Sequence, residues 1–152
     1  MAEAKPKILI IEARFYEDIA DELAAGAVEA LDRAGFEHDR ISVPGVLEIP
    51  AALSMAVSSS EEGHSVAYDG FVTLGCVIRG ETTHYDIVAG ESARALMDIS
   101  IVECLALGNG IQTVENSEQA WARARRTEKN KGGGAADAAI AMVNLRKKYG
   151  LA

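Results

Sequence analysis

The feature that most constrains this chain is its alternation of short, nearly continuous apolar runs with longer stretches whose apolar residues recur at helical spacing. Lys7 to Ala13 (KILIIEA) is such a run, as expected of a strand covered on both faces in a parallel sheet. From Asp18 to Ala34 the residues Ile19, Leu23, Gly26, Ala27, Ala30, Leu31 and Ala34 recur at three and four, which predicts a helix with one buried stripe, ended by Gly35. Glu37 to Val43 predicts a second strand. After the Val43-Pro44-Gly45 turn a helix can begin near Glu48 and run to about Val57, because first-turn amides have no intrahelical acceptor and Pro50 costs nothing there. The polar stretch Ser58 to Ser65 reads as a solvated loop, Asp69 to Ile78 as a third buried strand, and a long helix follows from about Tyr85. A fourth strand is predicted from about Leu105 to Thr113, weakened by Gly108 and Gly110. Ser117 to Arg126 and Gly133 to Tyr149 predict two closing helices, the second with Arg146, Lys147 and Lys148 where cations suit the helix dipole.

Strands alternating with helices at this spacing imply right-handed crossovers and a parallel sheet with helices on both sides. The fold expected is α/β, a flavodoxin-like three-layer αβα sandwich with a four-stranded parallel sheet. With 152 residues, 49% of them hydrophobic, the chain can bury enough surface for one core, so 1–152 is expected to form a single domain. The 15 Lys and Arg against 23 Asp and Glu give a net charge of −8, which repels a phosphate backbone and argues against nucleic acid. No apolar stretch has the length of a signal peptide or of a bilayer helix, so a cytoplasmic protein without a membrane partner is expected. Cys76 and Cys104 are too few for a disulfide framework, and both are expected to be buried free thiols.

In open parallel sheets ligands bind at the carboxyl ends of the strands. The segments there are Arg14-Phe15-Tyr16, Pro44 to Glu48, Arg79 to His84 and Val114-Glu115-Asn116, and they should converge on one edge. Phosphate-binding P-loop, GxGxxG, GxSxG, HExxH and CxxC signatures are all missing from the sequence, which removes the nucleotide and metal readings. Of the three histidines, His38 and His64 lie in polar surroundings and His84 alone is placed for proton transfer. A receiver domain would need clustered acidic residues after the first strand and an Asp ending the third, where Arg14-Phe15 and Ile78-Arg79 stand.

The segments VPGVLEIP (Val43 to Pro50), IRGETTHYDIV (Ile78 to Val88) and TVENSEQAWARARRTEKNKGG (Thr113 to Gly133), with ARF at Ala13 to Phe15, occur in an order and spacing that resemble the lumazine synthase family. That family condenses 5-amino-6-(D-ribitylamino)uracil with 3,4-dihydroxy-2-butanone 4-phosphate. The products are 6,7-dimethyl-8-(D-ribityl)lumazine, phosphate and water, and no metal or organic cofactor is needed. The resemblance implies that Phe15 stacks on the pyrimidine and that Glu48 accepts hydrogen bonds from the ribityl hydroxyls. Val46, Leu47, Cys76, Val77 and Ile78 would line the pocket, though these side chains could equally be core. Gly80-Glu81-Thr82, opening a helix, would offer amides and a hydroxyl to the phosphate, with Glu81 contributing only its backbone. Arg123 falls at the family's EQA-x-x-R position and would grip the phosphate, Arg125 and Arg126 being solvated or bridging surface charges. Lys131 of the NKG motif would lie near the phosphate, and His84, one turn into its helix, would move protons.

Two positions depart from the family's pattern. Asn109 stands where many members carry an aromatic residue that a neighbouring subunit lays over the pyrimidine, and Gly134 where an acidic residue often follows NKG. The resemblance further implies a homopentamer with active sites at subunit interfaces, and it admits an association with riboflavin synthase. The Arg123 to Asn130 connection has the short length of shell-forming members, whereas Pro6 interrupts the segment that would add a strand to a neighbour's sheet, so a free pentamer is favoured over an icosahedral shell. A non-catalytic flavin or lumazine binder would keep Phe15 and Glu48 but could dispense with His84 and Arg123; both are present.

Overall fold

The computed structural model describes residues 4–151. Strand β1 (Lys7–Ala13), helix α1 (Glu17–Ala34) and strand β2 (Glu37–Val43) form where the apolar runs and the helical stripe put them. Gly35 ends α1 at φ 76°, its amide donating to the Asp32 carbonyl at 3.1 Å. A 3-10 turn over Val46–Glu48 leads into α2 (Ile49–Glu61), with Pro50 in the first turn. Here the expected loop is corrected, because Ser58 to Glu61 are helical. Nothing in that stretch breaks a helix, and the first residue that does is Gly63, at φ 78°.

Strand β3 (Gly70–Ile78), helix α3 (His84–Val102), strand β4 (Leu107–Val114), helix α4 (Ser117–Ala124) and helix α5 (Lys131–Lys148) complete the chain. Helix α4 stops short of the expected Arg126 because Arg125 turns extended, at ψ 128°. Helix α5 starts at Lys131, two residues early, because left-handed Asn130 caps it by accepting from the Gly133 amide at 3.3 Å. Cys76 is buried, but Cys104 is exposed and corrects the second thiol: α3 ends at Val102, leaving Cys104 in a tight turn at φ 53°.

The four strands are all parallel, in the order β2-β1-β3-β4. The two most continuously apolar runs, β1 and β3, take the central places, where both faces need covering. On one face Ile8, Ile10, Val72 and Leu74 pack under α1, α4 and α5; on the other Leu9, Ile11 and Phe71 pack under α2 and α3. Gly108 belongs to this packing. A Cβ there would sit 1.8 Å from the Ala135 carbonyl oxygen, so only glycine lets the α5 backbone lie directly on β4. The opposite side of β4 is open, with Asn109 and Thr113 exposed. From β1 the chain crosses outward to β2 and then back to β3, so strand order reverses between β1 and β3, and a crevice opens at their carboxyl ends.

Candidate active site

That crevice is a cavity of about 320 Å³ lined by Ala13, Phe15, Tyr16, Gly45 to Glu48, Cys76 to Ile78, His84 and Val88. Its floor is core: Val46, Cys76 and Val88 are nearly inaccessible, and Val46 packs in one cluster with Leu9, Ile11 and Ile49. Burial pushes the Cys76 thiol up to about 11, so at neutral pH it is a protonated, apolar wall and no nucleophile. Phe15 stands at the mouth, 76% exposed, with Tyr16 packed edge-on at 4.9 Å between ring centroids. An aromatic ring left so open in a concave apolar setting is suited to stacking on a flat ligand.

Glu48 precedes α2 at its N-cap position without bonding the helix amides, so its exposed carboxylate keeps its acceptor capacity. It lies over Gly45, where a Cβ would come within 3.2 Å of Oε1. His84 is the first residue of α3, as a helix starting near Tyr85 requires, and not one turn in, because Gly80 to Thr83 form a turn and do not open the helix. Its amide donates to the Thr82 hydroxyl at 3.3 Å, and its side chain reaches the cavity.

Five other candidates lie outside the cavity lining: Glu81, Thr82, Asn109, Arg123 and Lys131. Glu81 and Thr82 sit in the exposed turn before α3, and Lys131 is exposed at the first position of α5. Asn109 is tied to its own sheet: Oδ1 accepts from the Thr73 hydroxyl and the Ile111 amide, each at 3.0 Å. Arg123 is half-buried, and its Nη1 donates to the Gln119 carbonyl at 3.1 Å. It makes no ion pair among the described residues, whereas Arg125 pairs with Glu128, and Arg126 with Glu22 and Glu29. A guanidinium without a carboxylate is free to take an anion.

A family described as 6,7-dimethyl-8-ribityllumazine synthase matches residues 5–147. The chain belongs to that family. It is 63% identical over 151 residues to 6,7-dimethyl-8-ribityllumazine synthase 1 of Rhizobium meliloti, spanning 99% of this chain and 98% of the relative. It is 59% identical over 147 residues to the 6,7-dimethyl-8-ribityllumazine synthase of Agrobacterium fabrum, spanning 97% and 99%. Membership of the lumazine synthase family makes the ligands small molecules and the chemistry a transfer reaction of riboflavin biosynthesis.

Some groups at the lumazine synthase crevice were not singled out from sequence. Ala13 and Val88 also line it, as do Tyr16 and Gly45, which the sequence had placed at this edge only as parts of the segments after the first two strands. Glu12, 3% exposed, accepts from Arg40 Nε at 2.7 Å and from Arg14 Nη1 at 2.8 Å. Arg14 also donates to Asp21 on α1. Those bonds hold Arg40 and Arg14 firmly charged, the hydrogen bond to Glu12 dominating for Arg40 and that to Asp21 for Arg14. They anchor the turn that carries Phe15. The signal was a lone carboxylate inside the apolar run KILIIEA, since a charge in a central strand must find partners.

Proposed function

We propose that this chain condenses 5-amino-6-(D-ribitylamino)uracil with 3,4-dihydroxy-2-butanone 4-phosphate at the β1–β3 crevice. The observation that carries this assignment to particular residues is the convergence of Phe15, Glu48 and His84 on one apolar cavity. Phe15 stacks on the pyrimidinedione, with Val46, Leu47, Cys76, Val77 and Ile78 excluding water around it. Glu48 accepts from ribityl hydroxyls. The turn Gly80 to Thr82, with Arg123 and Lys131, receives the phosphate. His84, between the two regions, relays protons while the amine adds to the ketone, phosphate leaves and the second ring closes. Supplying both substrates to the purified protein and following lumazine fluorescence tests the assignment. A protein that binds the pyrimidine but forms no lumazine is a binder and not the enzyme.

Assembly belongs to the same reading. One chain leaves the Asn109 side of β4 open, and Ile87, Met97, Ile101 and Val102 of α3 and Met55 of α2 are each more than half exposed. A ring of five copies covers such faces and brings Asn109 and Lys131 towards a neighbour's crevice. Among the described residues no helix is long and apolar enough to cross a membrane, which suits a cytoplasmic enzyme. Sedimentation at several concentrations gives a mass near five chains if this is right; a mass near sixty corrects the assembly alone, and a fully active monomer removes the shared site. Contact with riboflavin synthase would be a property of that assembled particle.

A further inference from the structure

The roles above leave one group of charges at the sheet edge unused. Arg79, directly after β3, donates Nε to Glu115 Oε2 at 2.8 Å, beyond the end of β4. Its Nη1 lies 3.6 Å from Asp86 Oδ1 on α3, and its guanidinium carbon stands 4.2 Å from the centroid of the Tyr85 ring. The Arg79 amide donates to the Val114 carbonyl at 2.9 Å. Glu115 continues the run, its amide donating to Gln119 Oε1 of α4 at 2.9 Å, and the Gln119 carbonyl takes Arg123 Nη1 at 3.1 Å. One connected set of contacts therefore leads from the residues next to His84 to Arg123.

We propose that Arg79 is a positioning residue, clamping the start of α3, and with it His84, against the β4–α4 turn that leads to Arg123. This rests on the roles proposed above for His84 and Arg123. The turn it closes needs such a clamp. Gly80 to Thr83 are exposed, and among the described residues their only side-chain hydrogen bond is the one the Thr82 hydroxyl accepts from the His84 amide. The clamp adds little to fold stability, because side chains 40% (Arg79), 55% (Glu115) and 61% (Asp86) exposed form solvent-screened pairs. Its effect is geometric. A planar fork can meet a carboxylate and an aromatic face together, which an ammonium cannot reproduce.

The test compares Arg79→Met, Arg79→Lys, Glu115→Gln and the Arg79→Met/Glu115→Gln double variant. Arg79→Met should lower kcat roughly tenfold or more, the size of effect that misplacing a reacting group produces. KM for both substrates and the melting temperature should be nearly unchanged. Lysine should restore only part of the rate, and the double variant should be no slower than the slower single one. Amide hydrogen exchange should quicken across Gly80 to Ile87 in Arg79→Met. Wild-type exchange there overturns the clamp even if the wild-type protein proves inactive, a result that would instead count against the enzyme assignment. A loss confined to KM for the phosphorylated substrate makes Arg79 a phosphate ligand and also overturns it, as does additivity in the double variant.

Discussion

The apolar side of the crevice and its polar side share one sheet edge, yet they are held in place by different means. Val46, Cys76 and Val88 are 7 to 8% exposed and fixed by the same packing that holds the strands together. Gly80 to His84 are exposed, Lys131 is exposed, and Arg123 is held by a carbonyl of its own helix. On the roles proposed above for these residues, the difference follows from what each side would receive. A flat ring is bound by excluding water, which requires a concave apolar surface formed beforehand. Groups for a phosphate must stay hydrated while it is away, because cations buried without a partner would be costly to the fold. One side is therefore built by folding, and the other is completed by its ligand.

The largest effect is expected at His84, on the border between the two sides. His84→Ala should slow condensation by roughly 10² to 10⁴, the usual contribution of a positioned acid or base, while pyrimidine affinity stays near wild type. Turnover equal to wild type would remove His84 as the proton relay. Arg123→Ala comes next, with a loss of about 2 to 3 kcal/mol in binding the phosphorylated substrate, the range for charge-assisted bonds. Pyrimidine binding should not move. Titrating each substrate separately checks this, and an equal loss for both would mean that Arg123 supports the fold.

The same division explains what the sequence made legible. Strand β1 and helix α1 follow from hydrophobic period and a terminal glycine, because local pattern and tertiary burial agree there. Cys76 on the cavity floor was readable for the same reason, since a residue near the end of a buried strand has few places to go, whereas Val88, on α3, was not singled out. The boundaries that shifted lie where polar residues decide. Ser58 to Glu61 continue α2 because no breaker intervenes, and α5 starts two residues early from the Asn130 cap. Asn130 also shows why a motif is weak evidence of role: the first residue of NKG caps a helix, and only Lys131 was read as a ligand group. Arg79 and Glu115 join two turns 36 residues apart, and no periodicity reports such a contact.

On the apolar side, Phe15 carries the next largest effect. Phe15→Ala should weaken pyrimidine binding by roughly tenfold, consistent with about 0.5 to 1.5 kcal/mol for an aromatic pair beyond its buried area. Stability should hardly change, because a ring 76% exposed contributes little to the core. Phosphate-side affinity should be untouched. Calorimetric titration of the pyrimidine reads the effect, and a fall in melting temperature of many degrees would show Phe15 to be a staple of α1 and not a platform for ligand.

The smallest effect concerns how the polar side is moored to the packed one. Arg126, in the connection between α4 and α5, donates its amide and its Nε to Glu22 Oε1, each at 2.9 Å, and its Nη1 to Glu29 Oε1 at 3.0 Å. Both carboxylates belong to α1, so the segment between Arg123 and Lys131 is tied to the helix that packs over β1 and β3. The side-chain bond from Arg126, with the bond from its amide second, holds the Glu22 carboxyl below its ordinary value. A carboxyl that is more acidic when folded stabilises the fold above the ordinary carboxylate range, and that contribution is lost as the pH falls through the folded value. The mooring should therefore weaken on acidification, starting below the ordinary glutamate range. Because the pair is solvent-screened, its contribution is small. Glu22→Gln should lower the melting temperature slightly at neutral pH and flatten its decline on going to acid, so that the two proteins' curves meet at low pH. Parallel curves at every pH would show that Glu22 holds nothing that depends on its charge, and would leave the polar side moored by the Arg126–Glu29 pair and the α1–α5 packing.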